Sequence, residues 1–280
     1  MIKQKNFQPA IKWSGSKRSS AKAIVSHFPK QIDTYYEPFC GGCSVMRALM
    51  EDDAITVNNF VISDNNKELI ELWELIVSNP QLIITHYERL WNELNIDDDR
   101  ARKRDFYEMI RERFNRERNP LDFFFIMRTT TNGMPRYNSS GDFNNSFHIT
   151  RNGINPETMR GILFEWSELL NKHNVEFKCC DYTEIVAKEH DFMYLDPPYA
   201  NSKGMYSNGV KSNDLFNYIR NLKCKYALSY DGVSGNDNKT YIVPKDIFKQ
   251  HLYIKSGNSS FKRIKEVSKD SIVYESLYVN

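Results

Sequence analysis

The chain has 280 residues, of which 40% are hydrophobic and 26% are charged, a composition that is typical of soluble globular proteins and excludes wholesale disorder. Its 38 basic residues nearly balance its 36 acidic ones, so the formal net charge of +2 neither requires nor excludes a polyanionic partner. No apolar run is long enough to span a membrane, and no apolar segment follows the N-terminal lysines. We therefore expect a cytoplasmic protein without a membrane partner.

The cysteines predict neither a metal site nor a disulfide framework. The chain has five, which include a C-x-x-C pair, Cys40 and Cys43, and the adjacent pair Cys179 and Cys180. Adjacent cysteines rarely bind one tetrahedral zinc ion, and an odd number does not suit a disulfide framework. We expect no bound metal.

The N-terminal third of the chain alternates strands with helices. Residues 12–20 form a polar loop, and Ser19 or Ser20 can cap an amphipathic helix that ends before Pro29. Residues 34–50 indicate a strand, a tight glycine turn and a helix. A second strand over residues 56–64 ends on an aspartate and is followed by a helix. This alternation predicts a parallel sheet with crossover helices.

Residues 80–160 break that alternation. The segment is helical and highly charged, with eight basic residues between positions 100 and 118. Acidic residues are interleaved with them, so this run could simply be a solvated helix face. A polar loop over residues 129–153 follows, and a loop of this length inside a compact domain is usually functional or disordered. The sequence pattern therefore indicates that residues 80–160 form an inserted lobe.

The α/β pattern then returns. Strands are predicted near residues 175–182, 191–196, 226–230 and 271–279, with the first ending on Asp181. The predicted fold class is thus α/β, a sheet interrupted by a helical and loop insertion.

Four predicted strands end in polar residues. In parallel sheets the ligand lies beyond the carboxyl ends of the strands. Gly41 and Gly42 allow close approach of the backbone to a ligand, and Asp64 suits the hydroxyls of a ribose. The G-x-G-x-x-G pattern that cradles a pyrophosphate is absent from this turn. A nucleoside cofactor without phosphates is indicated, and S-adenosylmethionine fits that description.

The tetrad Asp196-Pro197-Pro198-Tyr199 is the strongest chemical signal in the chain. Two prolines make a rigid extended turn, which holds an acid and an aromatic ring at a fixed separation. In methyl transfer to an exocyclic amine, the aspartate and a proline carbonyl can accept N–H hydrogen bonds and localise the nitrogen lone pair. The tyrosine offers a face on which a planar base can stack.

These motifs, in this order, resemble the Dam-type (class alpha, D12) DNA adenine-N6 methyltransferases. The resemblance rests on residues 12–17 (Lys-Trp-Ser-Gly-Ser-Lys), residues 37–42 (Glu-Pro-Phe-Cys-Gly-Gly), the insertion and the tetrad. It implies a Rossmann-like S-adenosylmethionine-dependent methyltransferase sheet formed by residues 1–78 and 160–280. Residues 79–159 would be the inserted target-recognition domain, helical with a β-hairpin.

The resemblance also implies the roles of the site residues. The tetrad would be catalytic and would act on an adenine flipped out of duplex DNA. The cofactor-binding residues would be Trp13 and Lys17 of the N-terminal motif, Glu37, Phe39, Gly41 and Gly42 of the methionine-binding turn, Asp64 at the ribose, and Asp181 and Tyr182 at the cofactor's adenine.

The insertion is expected to bind double-stranded DNA. Residues 131–144 resemble the hairpin with which the family enters DNA, and Arg136 stands where that hairpin carries an arginine near the target bases. The predicted DNA-binding residues are Arg102, Arg104, Asn132, Arg136, Asn138 and Arg151. Pro135 and residues 146–151 depart from the pattern of GATC methylases, so the recognition sequence stays open.

Two other classes of function remain compatible with the sequence. One is a methyltransferase for another planar amine, such as N4 of cytosine, an RNA base or protein glutamine. The other is a catalytically silent DNA-binding relative. The intact tetrad argues against the silent relative, and the basic insertion argues against the glutamine enzymes. We expect a monomer or weak dimer, in a restriction–modification, phage or housekeeping role.

Overall fold

The computed structural model describes residues 7–150, 152–198, 210–234, 237–238, 240–258 and 272–280. Its helices are α1 (Ala21–Val25), α2 (Ser44–Met50), α3 (Lys67–Ser78), α4 (Pro80–Leu94), α5 (Arg100–Glu117), α6 (Pro120–Thr129), α7 (Pro156–Leu170) and α8 (Ser212–Arg220). Its strands are β1 (Gln31–Glu37), β2 (Thr56–Asp64), β3 (Val175–Cys179), β4 (Phe192–Leu195), β5 (Lys225–Ser234), β6 (Asp237–Asn238), β7 (Gln250–Asn258) and β8 (Ile272–Val279).

The chain divides into two compact units. The sheet unit comprises residues 16–65 and 174–280, and the helical unit comprises residues 1–15 and 66–173. The helical unit thus begins before and ends after the predicted target-recognition domain, residues 79–159. The assignment of DNA binding to residues 79–159 stays a prediction.

The sheet unit is built on one mixed sheet. The strand order is β3-β2-β1-β4-β5-β8-β7, with the short β6 against β5. Strands β1 to β5 pair in parallel along this order, whereas β8 runs antiparallel to both β5 and β7. All four residues of β4 are buried, as expected for a central parallel strand. This topology confirms the predicted Rossmann-like α/β class.

The chain order reverses between β1 and β4. From β1 the chain proceeds to β2 and β3 on one side, and then returns to β4 and β5 on the other. A crevice opens at the carboxyl ends of the strands on either side of such a reversal, and ligands bind there. The sheet therefore brings the end of β1 and the end of β4 to the position where a site is expected.

The helical unit shows why the inserted segment folds as helices. Each of its five named helices has an Asn or Asp at its N-cap that accepts a backbone N–H bond, namely Asn66, Asn79, Asp99, Asn119 and Asn155. Three of these helices, α4, α6 and α7, also have proline in the first turn, where the missing N–H costs nothing. No helix among the described residues is long and apolar enough to cross a membrane.

The N-terminal segment packs on the helical unit. The indole of Trp166 donates to the carbonyl of Gln8, and the buried guanidinium of Arg128 donates to the carbonyls of Pro9 and Ala10. Further along, Nζ of Lys12 donates to the carbonyl of Thr130 at 2.7 Å. The first half of the N-terminal motif is therefore anchored to the helical unit.

Candidate active site at the strand ends

Glu37 is the last residue of β1 and is buried, with 3% of its surface exposed. Oε2 accepts a hydrogen bond of 2.7 Å from the hydroxyl of Tyr35, itself buried. Burial raises the pKa of Glu37 to about 8, because an ionised carboxylate loses its hydration in the interior. The hydrogen bond from Tyr35 opposes this rise without cancelling it. Glu37 is therefore mostly protonated at neutral pH and ionises at slightly alkaline pH.

The turn after β1 is fixed by the neighbouring strand β2. The N–H of Cys40 donates to the carbonyl of Ser63, and the N–H of Gly41 donates to Oδ2 of Asp64 at 3.3 Å. Gly41 has a φ of +44°, in the left-handed region that favours glycine. Asp64, the last residue of β2, is partly exposed. The turn thus presents backbone and one carboxylate together.

The two cysteines of this turn are buried. Burial raises the pKa of Cys43 to about 11, so its thiol is protonated at neutral pH. Among the residues that the structure describes, no group of three or more His, Cys, Asp or Glu side chains is arranged to hold a metal ion.

An aromatic pair lies beside the turn. The rings of Phe39 and Tyr182 are 5.2 Å apart between centroids, and Tyr218 meets Tyr182 edge-on at the same distance. Asp181 lies just before Tyr182 and is exposed. The sequence placed Asp181 at the end of β3, but the strand ends at Cys179 and Asp181 instead caps a short 3-10 turn. Its carboxylate accepts from the N–H of Thr183.

Asp196 follows β4 directly and is held by a buried lysine. Nζ of Lys17 lies 2.9 Å from Oδ2 of Asp196, and Lys17 is only 5% exposed whereas Asp196 is 17% exposed. Burial alone would lower the pKa of Lys17, but the carboxylates of Asp196 and Glu275 hold that pKa above its usual value. Lys17 is therefore a fixed cation beside the partly exposed carboxylate of Asp196.

Four other predicted site residues are the rest of the tetrad and Trp13. Pro197 is buried and Pro198 is partly exposed, directly after Asp196. Tyr199, the last member of the tetrad, lies outside the described residues. Trp13 is partly exposed and belongs to the helical unit. Its predicted role at the cofactor stays a prediction.

The predicted DNA-binding residues lie in the helical unit, and the structure distinguishes their surroundings. Residues 130–147 fold back on themselves, with antiparallel bridges Thr130–Phe147 and Tyr137–Phe143. Isolated bridges replace the regular strands of the predicted hairpin. Arg136 is exposed, and no hydrogen bond of its guanidinium occurs among the described residues. Asn132 is also exposed, with a φ of +59°.

Other predicted DNA-binding residues form hydrogen bonds or ion pairs within the helical unit. Oδ1 of Asn138 accepts from the N–H groups of Ser140 and Asp142, which closes the tip of the hairpin. Arg102 donates to the carbonyls of Glu93 and Leu94 at the end of α4 and pairs with Asp97. The guanidinium of Arg104 is 57% exposed beside Asp105. Arg151 lies outside the described residues.

One residue of the site escaped sequence reasoning. Glu275 on β8 lies 3.6 Å from Nζ of Lys17. The sequence indicates only a strand over residues 271–279, and no motif singles out an acid within it. Strand pairing between distant parts of the chain is what brings it to Lys17.

Comparison with known proteins identifies the family. The family model described as "D12 class N6 adenine-specific DNA methyltransferase" matches residues 13–272. The chain belongs to this family. The sequence resemblance is thereby confirmed, and with it the activity class, an adenine-specific DNA methyltransferase.

Individual relatives agree with that assignment. The chain is 30% identical to the Type II methyltransferase M.MjaIII of Methanocaldococcus jannaschii over 210 residues, which cover 69% of each chain. It is 29% identical over 196 residues to the DNA adenine methylase of Escherichia coli K12, covering 68% of this chain and 64% of that one. It is 24% identical to the Type II methyltransferase M.FokI of Planomicrobium okeanokoites, of which it spans only about a third (32%).

Proposed function

We propose that the protein transfers a methyl group from S-adenosylmethionine to the N6 amine of an adenine at a specific sequence in duplex DNA. The observation that carries the proposal is the carboxylate of Asp196, held at 2.9 Å by buried Lys17 at the end of β4, the strand next to β1. Membership of the D12 family supplies the substrate class.

The residues of the sheet unit suit S-adenosylmethionine. Glu37 can ionise to receive a cationic amino group, and Asp64 can accept bonds from ribose hydroxyls. The Phe39–Tyr182 pair offers an aromatic wall to the adenine ring, with Asp181 beside it to accept from its exocyclic amine. Gly41 and Gly42 leave room for the methionine portion. Carboxylates and aromatic rings would repel a phosphate, which agrees with a nucleoside that carries none.

When bound, this cofactor supplies an electrophilic methyl group on a sulfonium. The protein has to make the target nitrogen nucleophilic. Asp196 accepts an N–H bond from the amine, which localises the lone pair that the ring would otherwise share, and it stabilises the positive charge that develops on nitrogen. Lys17 keeps the carboxylate oriented through Oδ2. We assign Pro197 and Pro198 to hold the backbone here, and Tyr199 to stack on the base.

The adenine has to leave the duplex to reach Asp196, because a paired N6 amine lies inside the base stack. We assign sequence recognition to the exposed residues of the hairpin, above all Arg136 with Asn132, and phosphate contacts to Arg104. Asn138 would act by closing the hairpin tip and Arg102 by capping α4. Two of the relatives are named Type II methyltransferases, and the similarity of this chain to them is consistent with a modification role.

Transfer of labelled methyl groups tests this function. The protein is incubated with methyl-labelled S-adenosylmethionine and, separately, duplex DNA, RNA and protein extract. We expect label in duplex DNA alone. Duplexes in which adenine is replaced by purine, which lacks the N6 amine, serve as the matched control and should stay unlabelled. Label in RNA or protein, or undiminished label in the purine duplex, would overturn the proposal.

A further inference from the structure

Glu275 lies at an irregular place in the sheet. On one side β8 pairs with β7, and the register shifts between Lys255 and Gly257, so that Ser256 is an extra residue. On the other side β8 pairs with β5, and the register shifts between Tyr230 and Val233. Bulges re-aim side chains and are frequent beside active sites. The bulge on β5 thus lies opposite Glu275, and the bulge on β7 lies opposite the two residues that precede it, Val273 and Tyr274.

The distortion of β5 depends on a glycine. Gly232 belongs to the bulge opposite Glu275, and a Cβ atom there would lie 2.8 Å from Cα of Glu275 and closer still to the carbonyl of Tyr274. Only a residue without a side chain permits this approach of the two strands. The backbone of Glu275 is therefore fixed from the β5 side.

The bulge on β7 fixes the side chain of Glu275. The hydroxyl of Ser256, the extra residue, donates to Oε1 of Glu275 at 2.9 Å. The carbonyl of the same Ser256 accepts from the hydroxyl of Ser19 at 2.7 Å, two residues after Lys17. Ser256 thus ties the loop that carries Lys17 to the strand that carries Glu275.

The second oxygen of Glu275 is left for Lys17. Oε2 is buried, has no hydrogen-bond donor among the described residues and lies 3.6 Å from Nζ of Lys17. A buried carboxylate oxygen without a donor is costly, and such exceptions call for a functional explanation. Here the explanation is the ammonium group, which also holds Asp196.

We propose that Glu275 is a positioning residue for methyl transfer, which acts through Lys17 to hold the carboxylate of Asp196 without neutralising it. This inference rests on the proposed function. A lone Lys17–Asp196 pair would have no net charge, whereas the three groups together carry one negative charge. That excess favours the positive charge that develops on the amine nitrogen. Glu275 also restrains the ammonium that holds Oδ2 of Asp196.

The test is a double-mutant cycle on the full chain. Glu275→Gln keeps the shape and the bond from Ser256 but removes the charge. We expect its kcat for duplex DNA to fall about tenfold. This is the change in rate that follows from losing one interaction with a charged group of about 1.4 kcal/mol. The KM for DNA, the affinity for S-adenosylmethionine and the melting temperature should stay close to wild type. Glu275→Asp should recover part of the loss.

The Lys17→Met background shows whether Glu275 acts through Lys17. There the second change, Glu275→Gln, should have little further effect on kcat, because residues that act through each other are not additive. Glu176→Gln is the matched control, since it alters an exposed Glu–Lys pair with Lys178 on β3 of the same sheet, and it should leave kcat unchanged.

Three outcomes would overturn the inference. An unchanged kcat in Glu275→Gln would remove the role, and full additivity in the Lys17→Met background would remove the path through Lys17. A loss of kcat matched by a drop in melting temperature, and not recovered in Glu275→Asp, would make Glu275 structural. An inactive wild type would instead overturn the proposed function itself, and this inference with it.

Discussion

Two acids of the site lie in contrasting surroundings. Glu37 is buried beside a neutral hydroxyl, and its pKa is raised to about 8. Asp196 lies beside the ammonium of Lys17. Different surroundings give chemically identical groups different tasks. Glu37 is suited to bind a cation, which would displace its proton. Asp196 is suited to accept an N–H hydrogen bond, because Lys17 favours its ionised form.

Replacing Asp196 should stop the chemistry while leaving the cofactor site intact. In Asp196→Asn the shape is kept, but the charge that favours the developing cation is lost. We expect kcat to fall by at least several hundredfold, equivalent to about 3–4 kcal/mol for a preorganised stabilising group. Calorimetry should give S-adenosylmethionine an affinity close to that of wild type. Activity above about a tenth of wild type would contradict the assigned role.

Glu37 should make the stability of the ligand-free protein depend on pH. Its pKa is about 8 in the fold and 4.5 as the ordinary value, so between these values the folded state holds a proton that the unfolded state releases. Stability is then lost as the pH rises through this window, by up to about 5 kcal/mol. Urea unfolding of wild type and Glu37→Gln at pH 5 to 8.5 measures the difference. Parallel pH dependence of the two proteins would be incompatible with the raised pKa.

Among the elements of the fold, the hairpin over residues 130–147 is held by hydrogen bonds at its tip and by bonds to α5. Asn138 closes its tip, and Asn115 of α5 exchanges both of its amide bonds with the backbone of Phe143. Phe143 is buried. A backbone held by these bonds would present the exposed Arg136 to base edges at a fixed place.

Arg136→Ala should therefore relax specificity at one base pair. The expected loss of discrimination is about 1–3 kcal/mol, whereas non-specific binding should be nearly unchanged. The measurement is methylation across a duplex library in which each base pair is varied in turn. Arg104→Ala is the matched comparison. The loss of a phosphate contact should weaken binding to all sequences and make the binding less dependent on salt. An Arg136→Ala enzyme with the wild-type sequence profile would refute the assignment.

The contrast among arginines shows what the sequence can and cannot predict. The strand ends that carry Glu37, Asp64 and Asp196 follow from apolar runs that terminate in polar residues, and the structure has them where the pattern indicates. The partner of a guanidinium does not follow from such a pattern. Arg102 lies in the basic run yet caps α4, because α4 ends with unpaired carbonyls within its reach.

Asp181 and Glu275 illustrate the same limit within the sheet. β3 ends two residues before Asp181, which instead caps the following 3-10 turn, and residue propensities do not resolve a strand end to within two residues. Glu275 depends on two bulges and on pairing between strands far apart in the chain, and β7, the strand that carries Ser256, was not predicted from the sequence. Local patterns hold no information on such contacts.

Along its full length, the chain passes between its two units three times. The passages follow Gly15, Asn65 and His173. The N-terminal motif is therefore divided, since Lys12 is bonded within the helical unit and Lys17 within the sheet unit. One short segment thus joins the unit assigned to recognition with the residue that holds Asp196.

Nucleoside analysis of duplex DNA after reaction with S-adenosylmethionine tests adenine methylation and the role of Asp196 together. DNA treated with wild type or with Asp196→Asn is digested to nucleosides, and the methylated bases are separated and identified by mass. The proposed function predicts N6-methyladenine with wild type, confined to one sequence context, and none above background with Asp196→Asn. N4-methylcytosine in place of N6-methyladenine, or equal N6-methyladenine from both proteins, would contradict it.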